Sequence, residues 1–333
     1  MRIFVTGCTG YIGSHTCVEL LENNYEVVGL DNFSNSKREV LDKIEQITNK
    51  RIKFYEGDML DKELLEKIFS ENEIDMVIDF AAYKAVGDSV KKPIEYYTNN
   101  VSSVLTLIST MQKFNVKSLI FSSSATVYGV PEFVPITEEC KTGGTTNPYG
   151  TSKLYVEGIL KDLSIADPDF KICIFRYFNP VGAHKSGLIG EDPNGIPANL
   201  MPFICKVATG ELECLSVFGN DYETKDGTGV RDYIHIIDLA KAHVSGVKKL
   251  ESINGGLKIY NLGTGTGYSV LEMVNAFEKV NNIKVNYKIA ERRDGDIAEC
   301  FADSGLAEKE LNWKAEYTLE DMCKDAYNFV LKK

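Results

Sequence analysis

Residues 6–13 read Thr6-Gly7-Cys8-Thr9-Gly10-Tyr11-Ile12-Gly13, a G-x-x-G-x-x-G run between an apolar stretch and an amphipathic one. The first glycine permits a tight turn and the second lets the backbone approach a pyrophosphate. The third lets helix and strand pack closely, with the helix N-terminus facing the anion. In a chain with 27 glycines the spacing alone is weak evidence. Its setting strengthens it, because a strand at 2–6 precedes it and a second strand at 26–30 leads to Asp31. A carboxylate there accepts from an adenosine ribose 2′-hydroxyl and repels the 2′-phosphate of NADP, which favours NAD. Lys37 and Arg38 follow closely and could bind such a phosphate. Asp58, ending a third strand, is placed to bond the adenine amino group.

Outward from this turn, apolar runs at 2–6, 26–30, 52–56, 76–80, 118–122 and 171–176 alternate with helical patterns at 11–23, 62–70, 93–114 and 148–163. Several runs are apolar throughout, as strands covered on both faces must be. Asn147 and Pro148 suit the N-cap and first position of the last helix. The rhythm breaks over 179–229, rich in Gly, Pro, Asn and Asp, and returns with helices at 237–250, 270–280 and 319–331 and strands at 258–262 and 284–289. The pattern predicts an α/β fold: a doubly wound Rossmann-type parallel sheet over 1–180 and a second, smaller α/β substrate-binding domain over 181–333. Some later segments, 237–250 above all, are expected to pack back on the first domain. Gly263-Thr264-Gly265-Thr266-Gly267 lacks the lysine of a P-loop and reads as a strand-to-helix turn.

Composition narrows the partners. With 37 Lys+Arg against 48 Asp+Glu, the net charge of −11 over 333 residues argues against nucleic acid and anionic membrane surfaces. A local basic pocket for one small anion stays open. The eight cysteines show no C-x-x-C and no zinc spacing, so no metal site is expected, and reduced thiols in a cytoplasmic protein are. The N-terminal apolar stretch is too short for a signal-peptide core, and no run is long enough to span a membrane. His15, His184, His235 and His243 are scattered and read as structural polar residues.

Tyr149 and Lys153 stand at i and i+4, on one face of the helix at 148–163. One such pair is roughly what chance gives in this composition. A nearby cation favours phenolate, so Lys153 is expected to draw the Tyr149 phenol down toward working pH, which suits a general base for an alcohol or sugar hydroxyl. Ser122-Ser123-Ser124 closes the fifth strand at the C-terminal edge of the sheet, where open α/β folds bind ligands. Three serines can equally just end a strand.

Together the glycine turn, Ser124, Tyr149 and Lys153 resemble the extended short-chain dehydrogenase/reductase family. The run 10–16 (GYIGSHT), Lys84-Ala85-Val86-Gly87, 121–129 (FSSSATVYG), 176–184 (RYFNPVGAH), Glu191-Asp192-Pro193, 227–238 (GTGVRDYIHIID) and Glu310-Leu311-Asn312-Trp313 look like the UDP-glucose 4-epimerases of that family. The resemblance runs nearly end to end. It implies a tightly held NAD that is not consumed, epimerisation at carbon 4 of a UDP-hexose through a 4-keto sugar, and a homodimer joined through the helices at 93–114 and 148–163. Tyr149 would take the 4-hydroxyl proton, Lys153 would bond the nicotinamide ribose, and Ser124 would bond the 4-oxygen.

The cofactor contacts carried over are Gly7, Gly10, Tyr11, Ile12, Gly13, Asp31, Asn32, Asn35, Ser36, Asp58 and Met59, with Phe80, Ala81, Ala82, Lys84, Asn99, Ser122 and Phe178. For the UDP-sugar, Arg231 and Arg293 suit the diphosphate and Phe218 the uracil, while Asn179, Asn199, Leu200 and Asp296 complete the implied set. Without the resemblance, Arg231-Asp232 and Arg293-Asp294 read as surface ion pairs. Cys300 matches a position where some epimerases carry tyrosine beside the sugar's 2-substituent. Its small side chain predicts that UDP-N-acetylglucosamine and UDP-N-acetylgalactosamine are accepted, the alternative being a buried cysteine without that role. Two other functions compete: a nucleotide-sugar 4,6-dehydratase or decarboxylase, and a non-catalytic NAD-sensing regulator. The first wants Asp-Glu after the catalytic hydroxyl, where Ala125-Thr126 stands, and the second would be expected to lose the Tyr/Lys pair.

Overall fold

The computed structural model describes residues 1–195, 197–293 and 295–333. Its centre is a seven-stranded, all-parallel sheet in the order Gly256–Leu262, Lys171–Tyr177, Ser118–Ser124, Met76–Asp79, Arg2–Thr6, Glu26–Asp31, Lys53–Glu56. The chain runs outward from Arg2–Thr6 to one edge, then crosses back to Met76–Asp79 on the other side. The strand order therefore reverses between these two neighbours, which opens a crevice at their C-terminal ends.

Strand residues alternate between two apolar layers. Ile3 and Val5 face a layer with Val18, Leu21, Leu239 and Val247 of the helices Tyr11–Glu22 and Ile236–Ser252. Phe4 faces the other, with Leu65, Leu107 and Val156 of the helices Lys62–Glu71, Ser103–Lys113 and Pro148–Ala166. Covered on both faces, the strands have no need of a polar side.

The remaining strands form two small sheets. Val230–His235 pairs with Gly267–Ser269, Glu299–Cys300 and Asn179–Val181, and Leu215–Phe218 pairs with Tyr287–Ala290. A third apolar cluster, including Ile204, Tyr233, Phe277 and Met322, lies under the helices Leu200–Ala208, Val270–Asn281 and Leu319–Lys332. No helix among the described residues is long and apolar enough to cross a membrane.

Three local differences from the sequence reading have physical causes. The helix expected over 93–114 is interrupted by a π-helical turn at Thr98–Ser102, between Pro93–Tyr97 and Ser103–Lys113. There the Asn100 side chain accepts from Tyr83 N at 2.8 Å and donates to Tyr83 O and Ser152 Oγ at 3.0 Å each, and π-turns of this kind gather at functional sites. The helix Glu39–Thr48 has no capping side chain at Arg38 and so gave no start signal. The strand expected over 284–289 is shifted to Tyr287–Ala290, where Leu215–Phe218 supplies a partner.

Candidate active site

The crevice is built first by the glycine turn. Gly7 has φ +63°, and a Cβ on Gly13 would lie 2.1 Å from the Gly7 carbonyl oxygen, so neither position accepts a larger residue without moving the backbone. Across the sheet, Gly7 closes on Ala81 N, which would stand 3.1 Å from an added Cβ. The helix begins at Tyr11 with no acidic residue in its first turn, leaving its N-terminus to face an anion.

Asp31 is buried and organises the rim. Its Oδ2 accepts from Thr9 N at 3.0 Å, and its Oδ1 accepts from Phe33 N and Ser36 Oγ at 2.9 Å each. A carboxylate has about four acceptor sites, so roughly one is left for a ligand hydroxyl. The two cations that could have drawn in a 2′-phosphate are engaged elsewhere, Lys37 by Asp192 at 2.5 Å and Arg38 by Glu56. The rim therefore fits NAD and not its 2′-phosphorylated form. Asp58 lies beside it, accepting from Asn32 Nδ2 at 2.9 Å and from Leu60 N at 2.8 Å.

One continuous cleft is lined by the glycine turn with Tyr11 and Ile12, by Asp31, Asn32, Asn35 and Ser36, by Asp58 and Met59, and by Phe80, Ala81, Ala82, Lys84, Asn99 and Ser122. Tyr149 and Lys153 complete its wall. Phe178 follows directly on Lys171–Tyr177, where the chain leaves for the small sheet, and its ring is buried with Val127, Tyr128 and Ile136, to one side of this wall.

Lys153 is fixed by the sheet edge, donating through Nζ to the Ser122 carbonyl oxygen at 2.7 Å above the Phe121 ring. Burial pushes its ammonium down to about 8, while the Asp79 and Glu157 carboxylates oppose that. For the half-buried Tyr149, desolvation raises the phenol above its ordinary value. The Ser124 hydroxyl and the charge of Lys84 pull the other way. The cation acting on the phenol is thus Lys84, where the sequence pointed to Lys153. Ser124 Oγ accepts from Thr126 N at 3.3 Å and from Thr126 Oγ1 at 3.0 Å. With both lone pairs engaged, its own hydrogen is left to be donated, to the Tyr149 phenol beside it or to a ligand oxygen.

The residues assigned to a second ligand lie outside this cleft, around the small sheets. Arg231 stands opposite Cys300 in register, and Asn179 opposite Tyr233, two residues along the same strand. Arg231 Nη1 donates to Val230 O at 2.8 Å. Its neighbour Asp232 is no surface partner: buried, it accepts from Thr264 N and Oγ1, Gly265 N and Ala302 N, so the Gly263–Gly267 loop cradles a carboxylate of the protein itself. Arg293 pairs with Asp296 at 2.8 Å and lies 4.8 Å from the Phe218 ring, while Asp294 lies outside the described residues. Leu200 opens the helix behind Asn199. Cys300 is half-buried and packs against the cluster that holds Ala125 and Phe178, next to Ser124.

Sequence reading assigned no role to Glu191 and Asp192, yet both line the cleft and reach residues on both sides of it. It also missed Tyr177, which lines the cleft and donates to a buried His243. The His243 ring is kept neutral, pushed down to about 4 by burial, with Nδ1–H to Leu239 O at 2.8 Å.

A family model described as GDP-mannose 4,6 dehydratase matches residues 4–326. The UDP-glucose 4-epimerase of Pasteurella multocida is 62% identical over 332 residues, covering 100% of this chain and 98% of that one. That of Bacillus subtilis is 58% identical, covering 99% and 96%. A crystal structure of the Bifidobacterium longum UDP-glucose 4-epimerase in complex with NAD+ and UDP superposes with a TM-score of 0.97 at 57% identity, covering 100% of this chain and 98% of that one.

Proposed function

The chain belongs to the UDP-glucose 4-epimerases of the extended short-chain dehydrogenase/reductase family, and on that premise we propose that it interconverts UDP-glucose and UDP-galactose through a 4-keto sugar. One observation carries the reading: a dinucleotide-shaped glycine turn, an Asp31 rim suited to NAD, and Tyr149 and Lys153 meet in a single cleft, with the Ser124 hydroxyl beside the Tyr149 phenol. The glycine turn and the Asp31 rim would hold NAD, which when bound would supply a hydride acceptor and donor for carbon 4. Tyr149 Oη receives the proton of the 4-hydroxyl as the ketone forms and returns it as the ketone is reduced. Ser124 donates its free hydrogen to the 4-oxygen, and Lys153, pinned at Ser122, offers its other N–H groups to the cofactor ribose.

Between the two half-reactions the sugar must turn while the UDP stays in place. Arg231 and Arg293 supply charge for the diphosphate, Phe218 a face for the uracil, and Asn179, Asn199, Leu200 and Asp296 line the path. These belong to the unit beyond about residue 180, which serves as the substrate-binding domain. Cys300, smaller than tyrosine, leaves room at the 2-substituent for N-acetylated UDP-hexoses. Elimination to a 6-deoxy-4-keto sugar is disfavoured, because after Ser124 come Ala125 and a Thr126 whose hydroxyl is engaged by Ser124.

The protein acts as a homodimer. Ile94, Leu105 and Tyr155 are exposed on the helices Pro93–Tyr97, Ser103–Lys113 and Pro148–Ala166, Tyr97 stacks on Tyr155 at 5.9 Å, and a Cβ on Gly158 would meet nothing within 4 Å. Eight free thiols suit the cytoplasm. The reading is tested by incubating purified protein with UDP-galactose and no added NAD: UDP-glucose should form with no net NADH. A 6-deoxy-4-keto product, or no reaction, would overturn it.

A further inference from the structure

Glu191 accepts two hydrogen bonds on one oxygen, from Lys84 Nζ at 2.8 Å and from Asn199 Nδ2 at 2.7 Å. Its side chain is only 8% exposed, whereas that of Lys84 is 45% exposed. Lys84 lines the cofactor cleft and Asn199 stands just before the helix Leu200–Ala208, its side chain turned to Glu191 instead of capping that helix, so one carboxylate ties the two regions together. Asp192, the next residue, reaches the opposite rim at Lys37. Two residues on, Asn194 N donates to Asn35 Oδ1 at 3.4 Å and Asn194 Nδ2 donates to Ser34 O at 3.3 Å. Residues 188–193 line the cleft between these anchors. From behind, Phe329 presses on Gly190, whose added Cβ would lie 2.5 Å from its ring.

We propose that Glu191 is a positioning residue that couples the cofactor and substrate sides of the site, and that with Asp192 it fastens residues 188–194 as a strap retaining the dinucleotide. The proposal rests on the reading of Lys84 as a cofactor contact and Asn199 as a substrate contact. Each ion pair is partly exposed and weak by itself. The anchors act in series on a short segment, so the cofactor leaves only when several open together. The two contacts of Glu191 are also separable: Lys84 needs the negative charge, whereas Asn199 needs only an acceptor.

The test uses purified holoenzyme and follows exchange of bound NAD for isotopically labelled NAD, by mass spectrometry of protein-bound nucleotide after rapid desalting. Glu191→Ala should speed exchange about tenfold, the equivalent of one charge-assisted hydrogen bond, and raise KM for UDP-galactose. Glu191→Gln keeps an acceptor for Asn199, so exchange should accelerate while KM stays near that of the unaltered protein. Lys37→Met, which frees Asp192 from the opposite rim while Lys333 still holds its other oxygen at 2.5 Å, should accelerate exchange with Glu191 intact, and it decides the matter if Glu191→Ala does not fold. Unaltered exchange in Glu191→Gln and Lys37→Met overturns the strap. A KM that rises as much in Gln as in Ala overturns the separable coupling. Unaltered protein that purifies without nucleotide and leaves UDP-galactose unchanged contradicts the functional reading itself, and the strap with it.

Discussion

Lys153 and Ser122 are joined by a 2.7 Å hydrogen bond from the ammonium to the main-chain carbonyl oxygen, which locks the helix carrying Tyr149 to the end of the strand carrying Ser124. The ammonium is charged below about 8 and neutral above it, because burial disfavours the charged form. If the charged form is the competent one, kcat/KM for UDP-galactose falls as pH rises through about 8, the value for the free enzyme. In Lys153→Met the rate should drop about a hundredfold or more and that descending limb should vanish. A limb that persists in the variant assigns the titration to another group.

On the proposed mechanism Ser124 enters the chemistry through its hydrogen, since Thr126 engages its lone pairs. Ser124→Ala should lower kcat by about ten- to a thousandfold and leave KM for the UDP-sugar within a few-fold, because the bond strengthens as the 4-oxygen gains charge. Steady-state kinetics check this. A change confined to KM would make Ser124 a binding residue only.

The Gly7–Gly13 turn, Asp31 and the Tyr149/Lys153 spacing were legible because each is a local pattern with a local structural demand, a left-handed turn, a strand end and one helix face. Other features left no such mark. Glu191 meets Lys84 across 107 residues, and Asp192 meets Lys37 across 155, separations at which spacing carries no signal. Asp232 looked like the surface partner of Arg231. On a strand, successive side chains point to opposite faces, and this one turns inward to the Thr264–Gly265 amides. The hold on Lys153 left no mark for a related reason: helical spacing sets it one turn from Tyr149, and its acceptor is a main-chain carbonyl of the adjoining strand, 31 residues away.

Glu157 and Arg176 form a bidentate pair, both nearly buried, with the Ser123 hydroxyl donating to the same carboxylate at 2.5 Å. Removing one member strands the other's charge in the interior. Glu157→Leu should lower stability by about 3–5 kcal/mol, read as a fall in midpoint in thermal or urea unfolding. A loss within the range of an exposed pair would mean that water reaches Arg176.

Cys300 sits opposite Arg231 and against the cluster beside Ser124, and on the proposed reading bulk there would intrude on the sugar. Cys300→Tyr should abolish turnover of UDP-N-acetylglucosamine and UDP-N-acetylgalactosamine and spare UDP-galactose. Absence of any N-acetyl activity in the unaltered protein would reject this role for Cys300.

On the proposed mechanism carbon 4 loses a hydride to a cofactor that stays bound through the turnover and receives the same hydride back on the other face. UDP-galactose deuterated at carbon 4, given to the protein in ordinary water without added NAD, tests this directly. The expected product is UDP-glucose with the deuterium still at carbon 4, and Tyr149→Phe that still carries its nucleotide should form almost none. Deuterium lost to solvent, or displaced to another position of the product, would contradict that mechanism.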